Sequence, residues 1–156
     1  MVPDRIERDM LIDAPVETVW SVLTGPEHIN AWFSDAVELD AREGGAGTLT
    51  WKQGGAAPQV TVALRIERLD RPRFFSFRWN FPPGEEPTDR NAPLVEFTLT
   101  PEGEQTRLHL VESGIRMLDR SDDQKAAYAD EHNSGWDVLL AKLVEYAPSQ
   151  HGAPAR

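Results

Sequence analysis

The chain has 156 residues, no cysteine, and 26 acidic against 16 basic side chains, a formal net charge of −10. That length suits one domain with a full core, and the lack of thiols excludes disulfides, thiolate metal sites and cysteine nucleophiles. The acidic balance disfavours nucleic acid and anionic lipid surfaces. No window approaches the ~20 apolar residues of a membrane span. The polar N-terminus lacks a signal-peptide core, so the expectation is a cytoplasmic protein.

Arg5 to Ile12 reads as a strand with Ile6, Met10 and Ile12 on one face. Arg8 shares that face, either at an edge or pointing inward. Asp13-Ala14-Pro15 looks like a helix start, with Asp13 as the expected cap. Val16, Val19, Trp20 and Leu23 form the buried stripe of that helix. Thr24-Gly25-Pro26-Glu27 begins a second short helix carrying Ile29, Trp32 and Phe33 inward. Strands follow. Ala36 to Leu39 is brief, and Gly44, Gly45 and Gly47 turn the chain into Thr48–Lys52. Gly54 to Pro58 is a loop tip. Gln59 to Leu69 alternates, with Val60, Val62, Leu64 and Ile66 inward. Arg73 to Phe81 returns with Phe75, Phe77, Trp79 and Phe81 on one face. The segment Pro82 to Pro93 holds four prolines and is a loop long enough to cover something. Leu94–Thr100 and Thr106–Glu112 form the last two strands, joined by a turn at Pro101–Glu104.

Ser121 opens a final helix, and Gln124 completes a capping-box pattern. From there to about Ala147 no proline intervenes, and His132, Trp136, Leu139, Leu140, Leu143 and Ala147 fall on one stripe. A long helix with one apolar face must cover the sheet, and a curved sheet wrapped on such a helix tends to leave a pocket. The expected class is α+β: about seven antiparallel strands, two short helices after the first, and a long terminal helix. One domain is expected over residues 5–147, with a disordered tail at 148–156.

Several stretches together resemble one family. They are Ile12 to Trp20, Thr24-Gly25-Pro26-Glu27-His28 with Trp32-Phe33, Arg73 to Trp79, Leu110 to Ile115, and Asn133-Ser134-Gly135-Trp136 followed by Leu139, Leu140 and Leu143. Their order is similar to that of the START-like (SRPBCC) superfamily with its helix-grip fold, and more narrowly to bacterial relatives of the activator of heat shock protein 90 ATPase. The resemblance implies a cavity between sheet and last helix. It also implies a hydrophobic small-molecule ligand such as a lipid, aromatic or polyketide. A few relatives are cyclases or hydrolases. The namesake co-chaperones carry a separate N-terminal domain, and this chain opens at the first strand of the shared domain, which tells against that role.

The expected cavity lining is Trp51, Phe75, Phe77, Trp79, Phe97, Glu112, His132, Trp136 and Leu140. Taken singly, each aromatic reads first as plain core; the cavity as a whole is what the family resemblance implies. Glu112 shares parity with Leu108 and Leu110 and so points inward, and a lone buried carboxylate marks a candidate functional group. An enzyme would need Glu112, His132 and Tyr128 to converge. Gly135 costs ~1 kcal/mol mid-helix; close helix–sheet packing beside Trp136 is its expected reason, with room for a ligand or a small helix bend as the alternative. His28, His109, His132 and His151 do not pair at any metal spacing, so neither metal nor cofactor is expected, and nothing marks catalytic residues as such. The leading expectation is non-catalytic binding. A cyclase- or hydrolase-like enzyme and a protein-interaction role are the alternatives, and a homodimer stays open because no interface is marked.

Overall fold

The structure is a computed structural model that describes residues 2–52 and 60–150; the expected loop tip at Gly54–Pro58 and the tail from His151 lie outside the described residues. Seven strands form one antiparallel sheet: β1 (Arg5–Ile12), β2 (Ala36–Leu39), β3 (Ala46–Trp51), β4 (Val60–Asp70), β5 (Phe74–Phe81), β6 (Leu94–Glu102) and β7 (Gln105–Ser113). Their spatial order is β1-β7-β6-β5-β4-β3-β2. Helices α1 (Val16–Thr24) and α2 (Pro26–Trp32) carry the chain from β1 at one edge to β2 at the other. Helix α3 (Asp122–Gln150) closes the chain across the inner face of the sheet.

The period-two patterns explain the sheet. Along β7 every second residue is buried, and along β5 the run Phe75, Phe77 and Trp79 faces inward against the helices. Leu140, Leu143 and Ala147 of α3 complete the core. At the start of α3, the Gln124 N–H donates to Ser121 Oγ and the Ser121 N–H to Gln124 Oε1, which is the reciprocal cap. Arg8 lies on edge strand β1 and reaches across to α3. Its guanidinium donates to Asp137 Oδ1 at 2.9 Å and to Asn133 Oδ1 at 2.7 Å.

Four details differ from the sequence-based expectation. Pro15, not Asp13, occupies the N-cap of α1, and no side chain caps it. Helix α3 continues through Pro148 to Gln150 rather than stopping before it. Val60, expected inward, is 40% exposed, while the 82–93 loop does cover something, folding onto the outer face of the sheet, where Ala92 packs with Ala63 and Phe81 in a small separate core. Glu86 there pairs with Arg65 at 3.2 Å.

The fourth difference concerns Phe81, which leaves the inner face. In the β4–β5 ladder Leu64 opposes Trp79 and Ala63 opposes Phe81, so Asn80 is an extra residue. Its φ is +62°, a left-handed conformation that asparagine tolerates better than most side chains. The bulge reverses the alternation after Trp79, sending Phe81 outward.

Thr106 tests how the first turn is tied to the sheet. It is fully buried, and its hydroxyl donates to the Ala14 carbonyl at 2.8 Å. Thr106→Val keeps the shape and orphans that carbonyl, so urea denaturation should show a loss of about 1–3 kcal/mol, while Thr106→Ser should lose less.

Candidate functional site

The inward parity of β7 delivers a carboxylate into the core. Glu112 has 0% exposure, and a charge without water must be satisfied by protein. Four donors reach it. Oε2 accepts from Trp79 Nε1 at 2.8 Å and from the Tyr128 hydroxyl at 2.6 Å. Oε1 accepts from His132 Nδ1 at 3.0 Å and from Trp136 Nε1 at 2.8 Å. Burial is the largest single influence on the Glu112 pKa and pushes it up. Together His132, Tyr128 and Trp136 outweigh burial and hold the carboxyl below 4.5. Geometry agrees, because an indole N–H cannot accept a proton. The group is an anion.

The donors come from two elements. Tyr128, His132 and Trp136 are spaced four apart on α3 and share one face, while Trp79 is the last inward residue of β5 before the bulge. Burial, and then the Glu112 charge and hydrogen bond, push the Tyr128 phenol well above 10, so it remains a neutral donor. The His132 ring stacks on Tyr128 with centroids 3.8 Å apart. Asn80, turned by the bulge, donates through Nδ2 to Tyr128 Oη at 3.1 Å and lies 3.4 Å from His132 Nε2.

Beside this network a cavity of about 420 Å³ opens between α3 and the sheet. Trp51, Trp79 and Trp136 wall it, Asn80 and His132 form its polar floor, and Gly135 and Leu139 line the helix side. Glu131 and Lys142 stand at its ends, about three helical turns apart. Val138, 58% exposed, marks the open mouth.

Of the residues expected to line a cavity, Trp51, Trp79, His132 and Trp136 do so. Glu112 stands one layer behind, bonded to Trp79, His132 and Trp136. Phe75, Phe77, Phe97 and Leu140 belong to the packed core instead. The centre of the grip is filled by rings: Phe33 stacks on Trp136 at 5.8 Å, and Phe97 meets Trp136 edge-on at 6.1 Å. Only about 10 Å³ remains empty beside Phe75, Phe77 and Phe97. The open space is therefore displaced toward Trp51.

Gly135 does not pack closely against the sheet as expected. A Cβ built there meets nothing within 4 Å, and the residue lines the cavity. Asn80 went unnoticed in the sequence. Its one signal is an asparagine at a strand end just before Pro82-Pro83.

A curved antiparallel sheet closed over one long helix, with a cleft beside that helix, is the START-like, helix-grip arrangement. Residues 13–147 match the model of the Activator of Hsp90 ATPase homolog 1-like proteins, and the chain belongs to that family. Its fold is similar to that of protein MLL2253 from Mesorhizobium loti (22% identity, TM-score 0.69, covering 90% of this chain and 94% of that one). CalU16 from Micromonospora echinospora is 28% identical, with a TM-score of 0.65 over 92% of this chain and 75% of its own. The Aha1 dimer from Colwellia psychrerythraea is 17% identical, with a TM-score of 0.69 over 95% and 98%. No curated protein matches the chain. Among the described residues no helix is long and apolar enough to cross a membrane, and no group of three or more acidic, histidine or cysteine side chains could hold a metal ion.

Glu112→Gln offers one acceptor oxygen where two stood and aims an amide N–H₂ at two of the donors. Breaking such a buried pair should cost about 3–5 kcal/mol in urea denaturation. The folded-state pKa of Glu112 lies below its ordinary 4.5, so its ionisation stabilises the fold fully above that pH and the contribution is lost as pH falls through the folded value. The stability gap between wild type and Glu112→Gln should narrow below about pH 4.5; a gap constant down to about pH 3 would show that the carboxyl is not anionic.

Proposed function

We propose that this protein binds a small, largely apolar molecule, aromatic, lipid or polyketide-like, in the cleft beside α3. One observation carries the reading: three indole walls and a polar floor enclose about 420 Å³, within the ~300–1,000 Å³ usual for small-molecule sites. Apolar rings supply affinity through buried area. The floor supplies orientation. Family membership supports a ligand-holding domain, since the grip leaves a pocket between its parts.

A second reading is favoured by a specific arrangement. Glu112, Tyr128 and His132, the groups an acid–base enzyme would need, meet in one network. The cleft then holds a molecule within reach of an imidazole backed by a carboxylate, the pairing used for general acid–base work.

Native mass spectrometry of freshly purified protein should reveal a retained small molecule, and thermal-shift screening with naphthalene-, flavone- and fatty-acid probes should raise the melting temperature. Gly135→Leu should fold well, because a Cβ at this position meets nothing within 4 Å and leucine removes a helix penalty of ~1 kcal/mol. Its side chain should occupy the cleft and abolish the ligand-induced shift. The reading fails with no retained molecule and no responsive probe, or with equal responses from wild type and Gly135→Leu.

A further inference from the structure

We propose that His132 is the proton acceptor of the cleft, and that the molecule it takes is an apolar ring bearing an ionisable hydroxyl, a phenol or an enol. This inference rests on the cleft being a small-molecule site.

Accounting for hydrogen bonds at the floor leads there. Glu112 accepts four bonds and has no further capacity for a ligand. The Trp79 and Trp136 indoles are spent on Glu112, and the Trp51 indole donates to the Phe33 carbonyl at 2.8 Å. The Tyr128 hydroxyl donates its hydrogen bond to Glu112, so its oxygen can only accept from Asn80. That fixes the orientation of the Asn80 amide: nitrogen toward Tyr128, oxygen away. In the neutral ring that a proton acceptor must be, Nδ1 against the carboxylate is the donor and Nε2 the acceptor. The nearest donor to Nε2 is Asn80 Nδ2 at 3.4 Å, longer than a good hydrogen bond.

Among the described residues, the floor thus has two acceptors with unused capacity, His132 Nε2 and Asn80 Oδ1, while the remaining Asn80 N–H faces Nε2 at 3.4 Å and the Lys142 ammonium stands apart at the cavity's end. A ligand ether or ketone would meet lone pairs there. A hydroxyl would meet partners. Unpaired polar groups facing the wrong analogue are what make such sites discriminate.

The step is a simple transfer. The ligand O–H bond breaks and an N–H bond forms at Nε2, while the bonding electron pair stays on the ligand oxygen as phenolate or enolate. The imidazolium charge is balanced by the Glu112 carboxylate, 3.0 Å from Nδ1. The groups around His132 are Asn80 and Trp79 on β5, Glu112 on β7, and Tyr128, Glu131 and Trp136 on α3. Glu112 acts through the ring and is a positioning residue.

The test compares 4-nitro-1-naphthol, whose anion absorbs visible light, with its methyl ether 1-methoxy-4-nitronaphthalene. Wild type should bind the naphthol about tenfold or more tightly than the ether, and the bound naphthol should ionise at lower pH than the free one. His132→Gln, and His132→Phe, which keeps a ring stacked on Tyr128, should bring the two affinities within about twofold and remove the ionisation shift, while ether affinity persists and reports a folded cleft. Equal affinities on wild type, or a preference that survives in both variants, would overturn the proposal while the cleft stands as a binding site. Failure of both probes to bind would remove the cleft reading itself. The wild-type ratio decides whether or not the variants fold.

Discussion

One buried anion organises the molecule. Glu112 stands at the end of β7 with no solvent, and its charge is tolerable only while four donors surround it. Three of those donors belong to α3 and one to β5. The carboxylate therefore holds the long helix at a fixed rotation and height over the sheet, something apolar packing alone specifies loosely. A slide of α3 by one turn would strand the charge. The stack of Phe33, Trp136 and Trp79 then fills the centre of the grip, and the cleft is the space left where that stack ends.

The same network decides what the cleft offers. Its indole and phenol donors are consumed internally, so the floor facing the cavity retains the acceptors His132 Nε2 and Asn80 Oδ1. A site that reads as plainly hydrophobic from its tryptophans is thus polar in one direction only. Tyr128 helps by keeping its proton: burial and the neighbouring carboxylate make ionisation so unfavourable that the phenol serves as a fixed donor and cannot compete with His132 as a base.

Much of this architecture could be read from period and parity. Glu112 shares the phase of Leu108 and Leu110, and His132 and Trp136 share a helical stripe, so both strand and helix announce an inward face. Those signals are local. The placement of the cavity was not, because open space is the difference between two surfaces that are far apart in sequence. Phe75, Phe77 and Phe97 carry the right character for a lining and yet pack on one another, on Trp20 and Trp79 and, at Phe97, on Trp136. Gly135 illustrates the converse: glycine in a helix signals that something is unusual, but not whether the reason is a crowded neighbour or an absent one. Asn80 was hidden for a further reason. A bulge is a mismatch in count between two paired strands, here Ala63-Leu64 against Trp79 to Phe81, and neither strand alone records it.

That inserted residue couples two features on opposite sides of the sheet. It turns Phe81 outward to join Ala63 and Ala92 beneath the proline-rich loop, and it turns the Asn80 amide toward Tyr128 and His132. Pairing Asn80 in regular register opposite Ala63 would restore simple alternation, turn the amide away from Tyr128 and His132 and swing Phe81 back toward α3 in one stroke. Descendants of this sequence can tune the hydrophobic walls one residue at a time, but the polarity of the floor and the anchoring of the distant loop are inherited as a single unit.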